Sequence, residues 1–270
     1  MTGLPPLADT HCHLCLDAFT DDLDAVLDRA REAGVRRILV PGIDVPTSER
    51  AVALAETHDE IYAAVGVHPH DASSYGPQSR AQLRRLASSP RVIAIGEIGL
   101  DYYRDRSPRE AQQSAFADQL DLAAEVGLPV VVHNREATGD VLERLLPWAA
   151  ERPRPGVLHA FSGDEVAAAA ASEAGFYLGV AGPITFPNAG DRRILTAKLA
   201  RQHVVLETDS PYLTPHPRRG ERNEPARLGV IAEALMEVWG GRPEEIRRIL
   251  WDNAVALFHW NHEADYDHLL

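Results

Sequence analysis

Leu7-Ala8-Asp9-Thr10-His11-Cys12-His13 is the stretch on which the reading of the fold turns. An apolar pair runs into His-x-His, and short apolar runs recur downstream, so the segment reads as the end of a first β-strand. Side chains at i and i+2 of a strand share a face. His11 and His13 therefore project together, with Cys12 on the opposite side. Two neutral imidazoles side by side can grip one divalent metal. Two half-buried histidines capping a strand would give the same letters. The choice depends on where the other histidines and carboxylates fall.

Working outward, strand-like runs follow at Val35–Val40, Ile61–Val67, Val92–Ile95, Pro129–Val132, Gly156–Leu158, Phe176–Val180 and Val204–Leu206. Helical patterns separate them: Asp21–Ala33 closed by Gly34, Thr47–His58 with Thr47 or Ser48 as cap, Gln78–Ser88, Arg109–Glu125 stopped by Gly127, Ala137–Ala150, Asp164–Ala174 and Arg192–Ala200. The strand runs are apolar without polar alternation, as strands buried on both faces are. This repeated β-then-α order predicts an α/β protein, a parallel sheet closed into a (β/α)8 TIM barrel. Extra C-terminal helices are expected between Pro225 and Phe258, split at Gly240-Gly241-Arg242-Pro243. A single TIM-barrel domain is expected over 1–258. The polar, acidic stretch 259–270, with His259, His262 and His268, reads as a loosely held tail rather than a metal site.

A length of 270 residues, 45% hydrophobic and 25% charged, suits one such barrel. The net charge of −13 argues against a protein that coats nucleic acid by bulk attraction, which needs Lys and Arg on phosphates. It leaves open an enzyme that admits a phosphate to a small pocket charged by its own cations. Cys12 and Cys15 spell Cys-x-x-Cys, the form of a redox pair or half a zinc site, but no second pair completes a thiolate site. Two cysteines in this length fit a reducing cytosol. With no basic and apolar leader pattern and no membrane-length apolar run, the expected location is cytoplasmic, with no membrane contact.

The histidines and carboxylates then fall into place. His11 and His13 end the first run, His68 the third, Glu97 the fourth, His133 the fifth, His159 the sixth and Asp209 the eighth. In a barrel the carboxyl ends of the strands form one rim, and that rim carries the active site. His11, His13, Glu97, His133, His159 and Asp209 suffice to hold two divalent metals. Mixed imidazole and carboxylate ligands suit zinc, manganese or iron, and with more retained water magnesium. Glu97 is the candidate bridge, because a carboxylate has two oxygens. Two metals about 3.5–4 Å apart can clamp the attacking and leaving oxygens of a displacement at phosphorus. The glycines flanking Glu97 would let backbone and substrate approach closely.

His11-Cys12-His13, Gly96-Glu97-Ile98-Gly99-Leu100-Asp101, His133-Asn134-Arg135, His159-Ala160-Phe161-Ser162-Gly163 and Glu207-Thr208-Asp209-Ser210-Pro211 together resemble the successive motifs of the TatD family of metal-dependent deoxyribonucleases. Pro215 to Pro225, and Asn253 with Leu257-Phe258, are also similar. The resemblance runs from about Leu7 to Phe258. It implies an amidohydrolase-like TIM barrel with a one- or two-metal site that hydrolyses phosphodiesters, often as a 3′-to-5′ exonuclease on DNA. Carried over by position, it implies His11 and His13 on one metal and His133 and His159 on the other. Glu97 would bridge, and Asp209 would be a ligand that also orients the attacking water. Where the family often has an acidic residue two places after the second His of the first motif, this chain has Cys15. That departure touches hydrogen bonding behind the ligands rather than the ligands themselves.

The expected activity is metal-assisted hydrolysis of DNA ends or other nucleic-acid ends, with Asp209 and Glu97 catalytic. His68, on the same rim, would hydrogen-bond phosphate or protonate the leaving oxygen, or else be structural before Pro69. Arg135 can fork to phosphate oxygens, and Asp101 reads as a residue behind the ligands. Tyr102 or Tyr103 can stack on a terminal base or pack under its loop. Arg218, Arg219 and Arg222 either track a nucleic-acid strand, with Arg219 the chosen contact, or form a solvated loop paired with Glu221 and Glu224. Two alternatives stand beside this reading. One is an amide or ester hydrolase, including an aminoacyl-tRNA deacylase, since the same activated hydroxide attacks carbonyl carbon. The other is a non-catalytic, metal-stabilised scaffold. Oligomeric state is not legible.

Overall fold

The structure is a computed structural model that describes residues 4–260. Its strands are β1 (Leu7–Asp9), β2 (Val35–Pro41), β3 (Ile61–Val65), β4 (Val92–Asp101), β5 (Val130–Arg135), β6 (Gly156–Leu158), β7 (Tyr177–Val180) and β8 (Val204–Leu206), all parallel and in sequence order within one sheet. The connecting helices are α1 (Leu23–Glu32), α2 (Val45–Thr57), α3 (Pro77–Leu86), α4 (Arg109–Val126), α5 (Thr138–Ala149), α6 (Glu165–Glu173) and α7 (Gly190–Lys198). Two more follow, α8 (Leu228–Trp239) and α9 (Pro243–Phe258), and Pro243 opens α9 where the missing N–H costs nothing. The end of the sheet returns to its beginning. Thr10 donates its N–H to Leu206 O (3.0 Å), Asp209 to His11 O (2.8 Å) and His13 to Ser210 O (2.8 Å). The expected TIM barrel is the observed fold.

The strands are buried on both sides, which is why they lack polar alternation. Val130 and Val132 of β5 join the apolar layer under the helices, while Val131 between them joins an inner lining with Ala8, Ala64, Ala94, Val157 and Val205. Helix α9 adds Trp251, Ala254 and Phe258 to that inner cluster. The Asn253 amide donates to Arg201 O and Val204 O, both 2.7 Å, at the start of β8. Thus α9 covers the end of the barrel opposite the strand termini that carry the histidines.

Three local expectations change. Helix α2 is capped by Asp44, not by Thr47 or Ser48. The Asp44 carboxylate accepts from Thr47 N–H (2.8 Å) and the Thr47 hydroxyl accepts from Asp44 N–H (2.9 Å), a reciprocal pair that starts the helix with Pro46 in its first turn. Strand β4 does not stop at Ile95. It continues through Glu97 to Asp101, with its register against β5 shifting between Ile95 and Ile98, a bulge that re-aims a side chain. The glycines there admit the neighbouring strand rather than a substrate: a Cβ on Gly96 would lie 2.6 Å from Val131 Cβ, and one on Gly99, at φ +142°, 2.0 Å from His133 O. Third, order persists beyond Phe258. His259 closes α9 in left-handed conformation, and Trp260 is buried against Phe258 and Tyr62. His262 and His268 lie outside the described residues. Among the described residues no helix is long and apolar enough to cross a membrane.

Candidate metal centre

Two clusters of nitrogen converge on one carboxylate. Glu97 Oε2 lies 3.3 Å from His11 Nε2 and 3.5 Å from His13 Nε2. Its other oxygen, Oε1, lies 2.9 Å from His133 Nδ1, 3.5 Å from His68 Nε2 and 3.6 Å from His159 Nε2. Asp209 Oδ1 is 3.5 Å from His13 Nε2 and 3.8 Å from His11 Nε2. So the rim brings together the six residues expected as ligands, with His68 beside them. Asp209 sits there in left-handed backbone, φ +55°, a conformation uncommon for a non-glycine residue. Its N–H bond to His11 O holds it in place.

The second nitrogen of each ring decides what the first can do. His13 Nδ1 faces Pro41 O at 3.2 Å, and a carbonyl only accepts, so Nδ1 carries a hydrogen and Nε2 faces the site, where it meets either a cation or, when protonated, the Asp209 carboxylate. His159 Nδ1 faces Glu207 Oε1 at 3.1 Å, which turns Nε2 toward the site. His133 is turned round: its Nε2 faces Asp101 Oδ2 at 3.0 Å, which leaves Nδ1 toward Glu97. His68 differs in kind. Its Nδ1 accepts from His70 N–H (3.1 Å), so Nε2 bears the hydrogen and points a donor at Glu97. His68, Glu97 and His133 lie close enough together to hold an ion. The His70 hydrogen bond nonetheless makes His68 a donor rather than a ligand.

The charges follow from this packing. Burial pushes His68 down to about 4 despite the nearby Glu97 charge, so the ring is neutral at neutral pH and donates a hydrogen bond without being a reservoir of protons. Burial also opposes the Glu97 charge, but His68, His11 and His159 outweigh it and hold the carboxyl well below its ordinary value. For Asp209 burial is outweighed by the His13 hydrogen bond and the charges of His159 and His11, and it too stays ionised. Burial disfavours a charged His159, yet the Glu207 and Glu97 carboxylates more than offset this and raise it to about 10.

This donor set fits divalent metal. His11 Nε2 and His13 Nε2 lie 3.1 Å apart, and donors about 2 Å from a shared ion stand roughly 3 Å from each other. The His133 Nδ1 lone pair faces a carboxylate, so a proton or a cation must lie between them. His11, His13 and Glu97 form one group of donors close enough to share an ion, with Asp209 beside it, and Glu97 Oε1 faces both His133 and His159.

The supports behind the ligands are equally defined. Asp101 Oδ2 also faces His70 Nε2 at 2.9 Å, and Oδ1 accepts from Tyr103 N–H (3.1 Å) and Arg104 N–H (2.7 Å). Glu207, fully buried, had no role in the sequence reading. A signal was there, since an acid ending an apolar strand needs a partner. Cys12 and Cys15 are free and buried, and burial pushes the Cys15 thiol up to about 12 and the Cys12 thiol well above its ordinary value. Neither is a thiolate nucleophile. Cys15 Sγ instead donates to Pro41 O (3.5 Å), the same carbonyl that takes His13 Nδ1–H.

Of the substrate contacts expected from sequence, Arg135 lies at the rim with its guanidinium 4.7 Å from the Tyr103 ring centre. The Arg219 guanidinium lies over the Phe186 ring at 4.3 Å. Arg218 pairs with Glu221 (3.2 Å) and Arg222 with Asp22 (2.7 Å), so those two tie the loop down. Tyr102 packs, donating its hydroxyl to Asp140 (2.6 Å). Tyr103 is 52% exposed, and so is Tyr212 at 55%, its ring edge-on to His13 at 6.1 Å. Tyr212 and Arg192, which lines a cavity beside His133, were not singled out from sequence.

A family model described as TatD related DNase matches residues 8–259. A metal-dependent hydrolase from Bacillus subtilis, YabD, is 42% identical over 94% of this chain and 100% of its own. A protein named 3′-5′ ssDNA/RNA exonuclease TatD from Cronobacter sakazakii is 38% identical over 93% of this chain and 97% of its own. The crystal structure of YjjV from Escherichia coli K12, a TatD homologue, superposes with a TM-score of 0.90 at 35% identity, covering 94% of this chain and 98% of that one.

Proposed function

The chain belongs to the TatD related DNase family of metal-dependent hydrolases, and from that premise we propose that it removes nucleotides from the 3′ ends of single-stranded DNA or RNA, using two divalent metal ions. The observation that carries this reading is the division of Glu97, whose two oxygens face separate groups of histidine nitrogen. A relative named as a 3′-5′ ssDNA/RNA exonuclease supports the choice of substrate and direction.

Bound there, the metals would supply an activated water and neutralise charge on the phosphate. His11, His13 and Glu97 would hold one of them, and His133, His159 and Glu97 the other. The remaining chemistry falls to side chains of the chain. Asp209, ionised and beside His13, takes the proton of the attacking water. His68, neutral, donates its Nε2–H to a phosphate oxygen, where charge grows in the transition state. Arg135 forks to the phosphate of the strand, and Arg219 makes an outer contact. Exposed Tyr103 and Tyr212 offer stacking faces for unpaired bases, which suits a single strand better than a duplex. Two free, buried cysteines suit a reducing compartment, the cytoplasm.

The test uses chelator-stripped protein and end-labelled single-stranded DNA, with magnesium, manganese or zinc added back separately. Shortening from the 3′ end that needs metal and disappears in Asp209→Ala is expected. Two bound metals with no cleavage of DNA or RNA under any of them would shift the reading to carbonyl chemistry.

A further inference from the structure

A cavity of about 150 Å³ is lined by His133, His159 and Asp209 together with Arg135 and Arg192. The two arginines come from different elements, the end of β5 and the first turn of α7. Neither has a carboxylate partner among the described residues. Arg192 donates to Phe161 O (3.0 Å), and Arg135 rests on the Tyr103 ring. Elsewhere in this acidic chain arginines are neutralised, as Arg29 is by Glu224 at 2.6 Å and Arg222 by Asp22 at 2.7 Å. Burial, and then the charge of Arg135, disfavour the charged form of Arg192. Two arginines that line one small space without a carboxylate to neutralise them are matched by an anion, and their planar forks suit phosphate.

The cavity is too small for a whole small molecule, since such pockets run to roughly 300–1,000 Å³. It holds a group, not a nucleotide, and it adjoins the metal-binding side chains. We propose that it is a second phosphate subsite, taking the phosphate next to the one hydrolysed on the same strand. This rests on the phosphodiester reading above. It makes two consecutive phosphates, rather than one phosphodiester, the unit the enzyme recognises. The second phosphate is either on the retained strand or on the departing 3′ nucleotide.

The test measures kcat/KM of the metal-loaded enzyme on three thymidine dinucleotides: one with only the internal phosphodiester, one also carrying a 5′-phosphate, and one also carrying a 3′-phosphate. The expected result is a preference of roughly 10–100-fold for one phosphorylated form over the plain dinucleotide. A preference for the 5′-phosphate assigns the subsite to the retained strand, and for the 3′-phosphate to the departing end. Arg192→Gln should abolish most of the preference and Arg192→Lys should restore part of it, at equal metal content. On a longer single strand Arg192→Gln should also lower the slope of log affinity against log salt by about 0.7, the value of one phosphate contact. A structural role for Arg192 would leave that slope unmoved. Wild-type enzyme that degrades DNA without any preference, or a preference that survives Arg192→Gln, overturns the subsite and leaves the nuclease reading standing. Failure to cleave any of the dinucleotides or longer DNA or RNA overturns the nuclease reading, and the subsite with it.

Discussion

Glu207 Oε1 lies 3.1 Å from His159 Nδ1, on the ring edge away from the nitrogen that faces Glu97. The carboxylate also accepts Ala160 N–H, and Gly179 leaves it room: a Cβ there would meet Glu207 Oε2 at 2.5 Å. A buried acid in this position fixes the His159 tautomer and raises the basicity of Nε2. Glu207→Gln keeps the shape and removes the charge. Metal affinity should fall about 10–100-fold, read by competition with a chelator, with an unchanged circular dichroism spectrum. Affinity equal to wild type would reduce Glu207 to a space-filling role.

Protons and metal compete for the same nitrogens, and His159 sets the pH range. Its folded value of about 10 lies above the ordinary 6.5. In metal-free protein its protonation therefore stabilises the fold, fully below about pH 6.5, and that contribution is lost as pH rises through about 10. Metal binding must expel the proton, so affinity should rise from pH 6 to pH 9 and each binding event should release protons. Calorimetry in two buffers of different ionisation enthalpy measures that release. A flat affinity without proton release would show that His159 carries no extra proton in the metal-free protein.

Glu97 joins the two groups of nitrogen, so its loss should be felt by both. Glu97→Ala should lose at least one metal equivalent and most turnover, while the barrel, whose strands pack through Val130, Val132 and their neighbours, still melts cooperatively. Elemental analysis of the purified variant provides the count. Full metal content would refute the bridging role.

The residues legible from sequence are those whose placement depends on strand order alone. His11, His13, Glu97, His133, His159 and Asp209 each end or leave an apolar run, and a barrel gathers such ends whatever the details. Glu207, Tyr212 and Arg192 were not legible, because their roles come from what lies opposite. Glu207 matters through His159, and Arg192 through Arg135, more than fifty residues away in the chain. In sequence the apolar run of β4 ends at Ile95, and glycines beyond it ordinarily weaken a strand. Only the approach of Val131 and His133 shows that Gly96 and Gly99 belong inside one.

Tyr212 stands 55% exposed beside His13, on the loop that follows Asp209. A base stacked there would contribute roughly 1–3 kcal/mol. Tyr212→Ala should lower kcat/KM on single-stranded DNA by about 5–150-fold, and Tyr212→Phe should retain most of it. Hydrolysis of a phosphodiester without bases should change far less. Equal losses on both substrates would show that Tyr212 supports the metal centre instead.

His68 separates a ligand from a donor. It lies as near Glu97 Oε1 as His159 does, at 3.5 Å against 3.6 Å, so distance alone would make both of them ligands. The His70 N–H bond to Nδ1 says otherwise: a ring that accepts there has its hydrogen on Nε2, and an N–H cannot ligate. Burial, which pushes the ring to about 4, keeps it neutral, so it stabilises charge on phosphate without transferring a full proton at neutral pH. His68→Ala should therefore keep its metals and lose about 10²–10³-fold in kcat, the usual size for one lost donor to a charge-bearing transition state. His68→Asn, which offers an N–H of similar reach, should recover part of that loss. If His68→Ala instead loses a metal equivalent, His68 is a ligand, and the hydrogen bond from His70 must break when metal binds.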